Sequence, residues 1–252
     1  MSINVGDELA LAFVLLFARC SGLTVALPTV LGVAIPVRVR VLLSALLAGS
    51  LMPLAKVVLP TSGGPLPIGL MLVRELAVGT TLAFAAAIVI GAVMTMGEVL
   101  GTGMELHGGS ILRGSIQIPN VLGDGLGGLA GMLFFIAGFH RSLLLGLGRS
   151  LKIAPLGAVT LPGVSSVLAM GSRVFLLALE LALPVLIPLF ILSLAQGVLA
   201  RLAPQIHILM VAPAAILIAG LVLLLMDSHG LAIAMVRAWE LMIDQALGWT
   251  NG

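Results

Sequence analysis

The chain has 252 residues, 60% of them hydrophobic and only 9% charged, with a formal net charge of +2. A soluble domain is about half apolar and a quarter charged, so the composition excludes an ordinary soluble fold and fits helices that each need roughly 20 apolar residues to cross a bilayer. Twelve dispersed cations form no basic stripe for nucleic acid, and the lone cysteine, Cys20, excludes a disulfide or zinc framework and reads as a small buried hydrophobe.

Met1 to Glu8 carries acids where a secretory signal carries cations, so the first apolar run is expected to be retained. That run, Leu9 to Leu27, is interrupted by Arg19 and closed by Pro28. An arginine facing lipid costs about 2.5–3.5 kcal/mol on insertion scales. Arg19 should therefore meet a partner, a water-filled space or the interface. A Pro/Gly connection from Pro28 to Pro36 leads to Arg38 and Arg40, and the second run, Val39 to Leu59, contains Pro53, which can bend it. Thr61 to Pro67 reads as a turn-rich linker.

The third run, Leu70 to Leu100, is about 45 Å long if helical, more than a hydrocarbon core of about 30 Å. Its uncharged middle matches a span, and its ends, with Arg74-Glu75 and Glu98, are expected to protrude. Gly101 to Gly128 holds nine glycines and Pro119, and its part from Gly101 to about Gly125 is expected to be a loop. Leu129 to Leu147 is the fourth run, with His140, Arg141, Arg149 and Lys152 near its end, and Ile153 to Ser166 is another connection. The fifth run, Val167 to Leu199, is too long for one crossing, and Pro184 and Pro188 are expected to divide it as helix kinks. The carbonyls they free, at Glu180 and Pro184, share one helix face, which only protein or water would satisfy. Arg173 and Glu180 are seven residues apart on one face, so they pair with each other or each meets another subunit. Arg201-Leu-Ala-Pro204-Gln205 is a polar break before the sixth run, Ile206 to Met226, which contains Pro213. After Asp227-Ser-His-Gly230, residues 228–252 read as an amphipathic tail, with Leu231, Ala234, Met235, Ala238 and Met242 opposite Arg237, Glu240 and Asp244.

These runs predict an all-α, polytopic membrane-associated protein of about six long, proline-bent apolar helices in a single domain spanning 1–252. Placing Arg38 and Arg40 in the cytoplasm puts Arg141, Arg149 and Lys152 outside, against the positive-inside rule. Helices largely covered by other protein, rather than a simple bundle in lipid, best account for this and for the embedded arginines.

No catalytic constellation emerges. His107, His140, His207 and His229 lack a second ligand at metal spacing, so no metal and no cofactor is expected. Ser142 beside His140, or Ser165 and Ser166 with a distant histidine, is thin support for a serine nucleophile. The glycines of Gly123 to Gly128 precede no Lys-Ser/Thr and fit turns and close packing better than a phosphate loop. A small proton-coupled secondary transporter would need an intramembrane carboxylate, with Glu180 the stronger candidate and Glu75 the weaker. The two halves show no clear internal similarity in its support.

Order and residues together resemble the FliR/SctT family of the type III secretion export apparatus, flagellar and injectisome. The likeness runs from Arg19, Pro28 and Pro36-Val-Arg38-Val-Arg40 to Pro53, then through Glu75, Gly79, Phe84, Gly97-Glu98, Gly101 and Met104. Phe139-His140-Arg141 with Pro155 follows, and Arg201-Leu-Ala-Pro204-Gln205 is similar to the family's Arg-x-x-Pro-Gln segment, with Pro213 and Gly220 after it. Ile118-Pro119 stands where the family usually has Asp-Pro, and Phe139 precedes His140 where it often has a small polar residue.

The resemblance implies a non-enzymatic subunit of an export gate, built of helical hairpins. It would assemble with FliP-like and FliQ-like subunits and an FlhB-like protein, in the inner membrane at the flagellar basal body. Unfolded substrates would pass through the centre, driven by the proton-motive force and assisted by a separate ATPase. In that setting the glycine-rich segment is a candidate pore plug through Met104, Leu106, Ile111, Leu112, Ile116 and Ile118. Arg19, Arg173, Glu180, Arg201, Pro204 and Gln205 are candidate buried polar or assembly residues.

Overall fold

The computed structural model of the protein describes residues 5–25, 35–57, 65–104, 121–157, 164–202 and 208–248. Among them are seven α-helices: α1 (Val5–Val25), α2 (Val37–Leu51), α3 (Pro65–Gly103), α4 (Val121–Ile136), α5 (Phe139–Ile153), α6 (Val164–Leu202) and α7 (Ile208–Gly248). The only strand-like pairing among the described residues is an isolated bridge between Val57 and Leu156. Among the described residues five helical stretches are long and apolar enough to cross a membrane, Glu8–Val25, Val37–Leu54, Leu66–Gly103, Ala169–Leu202 and Ala212–Ala246, with α4 and α5 together a sixth if the bent pair forms one span. The protein is thus an all-helical, polytopic membrane protein.

Four expectations need correction. The fourth apolar run is not one helix: α4 and α5 meet at a 65° bend, where Gly138 has φ 78°, a left-handed conformation that glycine adopts at no steric cost. The glycine-rich loop is shorter than 101–125, because Gly101 to Gly103 ends α3 and Val121 begins α4. Pro184 and Pro188 do not divide the fifth run, since α6 passes through both as one helix of 39 residues. The C-terminal tail is no separate element either: α7 continues through Asp227-Ser-His-Gly230 for 41 residues. A helical glycine costs only about 1 kcal/mol, and Ser228, His229 and Gly230 all lie on the exposed side.

Packing resolves two compact units, and their boundaries fall within α3, α4, α6 and α7. The first comprises Met1–Ile88, Phe134–Ser172 and Trp239–Gly252. Its core includes Leu15, Leu16, Phe134, Leu147 and Trp239, all but closed to solvent. Trp239 packs edge-on against Phe134 at 5.5 Å between ring centres and donates its indole N–H to the Ala86 carbonyl. Here α1 crosses α3 at glycines on both sides. A Cβ on Gly22 would lie 2.7 Å from the Thr80 nitrogen, and one on Gly79 would lie 2.9 Å from the Arg19 carbonyl carbon. Small residues at a helix crossing let backbones touch where lipid offers no hydrophobic drive to association.

The second unit comprises Val89–Leu133 and Arg173–Ala238. It repeats the device: a Cβ on Gly97 of α3 would lie 2.8 Å from the Gly123 nitrogen of α4, and Gly127 of α4 faces the Met94 side chain. Close packing against α3 thus holds a glycine-rich sequence helical despite its poor propensity. Met104, just past α3, is buried against Gly220 of α7. Much of α2 and α6 is uncovered, including Val39, Leu42 and Leu46 on the one and Phe175, Phe190 and Leu202 on the other.

Candidate functional site

An arginine inside an apolar helix must find its counter-charge within the protein. Arg19 of α1 is completely buried, and its Nε donates to Oε2 of Glu75 in α3 at 2.6 Å. Its other nitrogens donate to the Ser150 hydroxyl of α5 at 3.1 Å and to the Ala154 carbonyl at 3.0 Å. The Ser150 hydroxyl in turn donates a hydrogen bond to the Leu147 carbonyl at 2.7 Å. The second Glu75 oxygen, Oε1, accepts from Arg74 at 2.9 Å and from the Gly157 backbone N–H at 3.2 Å. Arg74 also donates to the Pro155 carbonyl at 3.3 Å.

One fully buried carboxylate therefore collects two guanidinium groups, from α1 and α3, and a backbone amide from the turn after α5. That turn is anchored further, because the Leu156 N–H donates to the Lys56 carbonyl beyond the 3-10 turn Met52–Leu54. The glycine crossing lies one helical turn from the ion pair: Gly22 is three residues after Arg19, and Gly79 four after Glu75. Close backbone approach at the crossing sets the distance over which guanidinium and carboxylate must meet.

Arg74 and Glu75 do not protrude as the hydropathy pattern suggests; they are 3% and 0% exposed. Arg173, Glu180 and Arg201 are not buried within this chain and sit on exposed positions of α6. Pro204, Gln205, Leu106, Ile111, Leu112, Ile116 and Ile118 lie outside the described residues, whereas Met104 is buried at the end of α3. Glu75, Arg74 and Ser150 are the residues that sequence reasoning undervalued. The one available signal was the adjacency of Arg74 and Glu75 at one end of a run whose middle is uncharged.

The arrangement suits a fixed structural junction. A proton carrier needs a carboxylate that can release its partners, whereas both Glu75 oxygens are held by donors from separate elements. Glu180, the other carboxylate considered for that role, lies on an exposed face of α6.

The sequence pattern of the bacterial export proteins, family 1, matches residues 10–242. The flagellar biosynthetic protein FliR of Caulobacter vibrioides (strain ATCC 19089 / CIP 103742 / CB 15) is 24% identical over 247 residues, covering 91% of this chain and 93% of that relative.

Proposed function

The chain belongs to the bacterial export proteins, family 1, and we propose that it is a subunit of the flagellar type III protein export gate. In this reading it forms part of the channel that passes unfolded flagellar substrates across the inner membrane at the basal body, and it catalyses no reaction. The observation that carries the reading is the family match across 10–242, together with likeness to a flagellar relative along nearly its whole length.

The partners are FliP-like and FliQ-like subunits, with an FlhB-like protein alongside. The uncovered apolar faces of α2 and α6 give such partners a surface, and Arg173, Glu180 and Arg201, exposed on this chain alone, become assembly contacts. Pro204 and Gln205 belong to the same assembly region. In this reading residues 1–252 act as one export-gate domain, a view supported by the four helices that run from one packing unit into the other.

Expressed with such partners, the chain should co-purify as a stable hetero-oligomer. Expressed alone it should aggregate or be degraded, because exposed charges such as Glu180 and Arg201 on an apolar helix need neighbours. A monodisperse, transport-active product made without partners would reject the gate assignment.

The pore plug is the glycine-rich segment from Met104 to Ile118. Its supporting features are apolar residues interleaved with glycines, which can close a channel by dewetting, and a length uncommon in a connection without a role. Its N-terminal root is anchored by Met104 against Gly220. Shortening the segment while keeping Glu98 and Pro119 should leave the complex assembled but leaky to ions without substrate. Conductance of the reconstituted complex measures this, and a fully assembled, tight complex would remove the plug role.

A further inference from the structure

We propose that the first unit binds one anionic phospholipid, with an acyl chain in an apolar pocket and the phosphate at the arginine-bearing starts of α2 and α5. The pocket measures about 300 Å³ and is lined by Leu23 of α1, Leu43 and Leu47 of α2, Ala86 of α3, Phe134 of α4 and Leu143 of α5, among others. Among the described residues only Thr24 and His140 bring polar side chains to it. The Thr24 hydroxyl is already engaged with Ser44 at 2.9 Å and the Ser21 carbonyl at 3.0 Å. An ordered water needs two to four polar partners, so this space is too apolar for water. It is also partly open rather than enclosed, so a flexible chain can enter it. A hydrocarbon chain suits both conditions.

Charge at the start of α2 selects the headgroup. Arg38 and Arg40 stand in its first turn, at the start of the candidate span Val37–Leu54. Arg40 precedes Leu43 by three residues and Leu47 by seven, which puts it on the face that lines the pocket. Its Nε is shielded from solvent and has no hydrogen-bond partner among the described residues. On α5, His140 lines the pocket, and the next residue, Arg141, is exposed. α5 carries no acid at all. The nearby acids, Glu240 and Asp244 of α7, border a separate groove with Arg149, so Arg149 is left out of the headgroup set. Cations at the start of a span, with apolar residues deeper along the same face, match the order of phosphate and chain in a phospholipid.

Trp239 reports on occupancy. Its ring packs on Phe134 and its N–H bonds to Ala86, both of which line the pocket. The co-purified export complex is reconstituted into nanodiscs whose phosphatidylglycerol or phosphatidylcholine carries brominated acyl chains. The same complex with Trp239→Phe gives the background to subtract. Brominated phosphatidylglycerol should quench Trp239 at lower mole fraction than brominated phosphatidylcholine does. Arg40→Gln and Arg141→Gln should each reduce that preference about fivefold, the effect of one cation near an anionic lipid surface. Leu47→Phe, which narrows the pocket, should abolish quenching by both lipids. Absence of quenching would mean that the pocket is closed or covered by a neighbouring protein, and would overturn the site. Equal quenching by the two lipids, unchanged in Arg40→Gln and Arg141→Gln, would overturn recognition of the anionic headgroup.

Discussion

Glu75→Ala is expected to remove the protein almost completely from the membrane fraction. The carboxylate is the shared acceptor for Arg19, Arg74 and the Gly157 amide, and neither Arg19 nor Glu75 has any exposed surface. Removing one partner of a buried ion pair costs about 3–5 kcal/mol, because the surviving charge stays desolvated. Here two guanidinium groups would survive, set against a total stability of about 5–15 kcal/mol for a typical fold. Arg19→Met should be milder, since Glu75 keeps Arg74 and Gly157 while the methionine fills much of the arginine's space. Ser150→Ala should be milder again, as it removes one acceptor of a single Arg19 nitrogen, worth about 1 kcal/mol. Quantitative immunoblots of washed membranes, with melting midpoints of the purified complex, give the order. Wild-type accumulation of Glu75→Ala, or a heavier loss in Arg19→Met than in Glu75→Ala, would show that Glu75 is not the hub.

The need for such a hub was legible in the sequence, and its identity was not. Arg19 stands in an apolar run long enough to span a bilayer, so the cost of facing lipid already calls for a partner, a water-filled space or the interface. Which carboxylate supplies the counter-charge depends on the α1–α3 crossing, 56 residues apart along the chain. The sequence ranks Glu180 above Glu75 only as a proton site and assigns neither to Arg19, because nothing in the chain order says that α6 leaves its charged positions exposed. The turn after α5 was less legible still. Ala154, Pro155 and Gly157 act through backbone carbonyls and an amide, and those groups are the same in every residue but proline's missing N–H.

Helix existence was read well from apolar runs, but the breaks were misplaced in both directions for related reasons. Prolines and glycines signal interruption through local preference, and packing can outweigh local preference. Gly123 and Gly127 stay helical because their missing side chains let α3 come close, whereas Ala137-Gly138 breaks the fourth run just before its polar residues His140 and Arg141. At Asp227 to Gly230 the polar residues face outward, so the helix has no cause to stop.

Gly79→Ala should destabilise the protein strongly, whereas Gly91→Ala on the same helix should not. A Cβ at Gly79 would meet the Arg19 backbone, with the carbonyl carbon at 2.9 Å and the oxygen nearer still, and the Leu23 nitrogen at 3.1 Å. These are backbone atoms, which cannot turn aside as a side chain does, so α1 and α3 must separate. Overpacking alone costs about 1–3 kcal/mol. Separation also lengthens the Arg19–Glu75 pair one turn away, so part of the buried-pair cost is added. A Cβ at Gly91 meets nothing within 4 Å, and alanine there gains about 0.8–1.0 kcal/mol of helix propensity. Melting midpoints of the purified complex should therefore fall for Gly79→Ala and stay level or rise for Gly91→Ala. If the crossing acts by holding the ion pair together, Arg19→Met should cost less in the Gly79→Ala background than in the wild type, since neighbouring sites couple non-additively. Strict additivity of the two substitutions would separate the glycine crossing from the charge cluster and leave each as an independent contact.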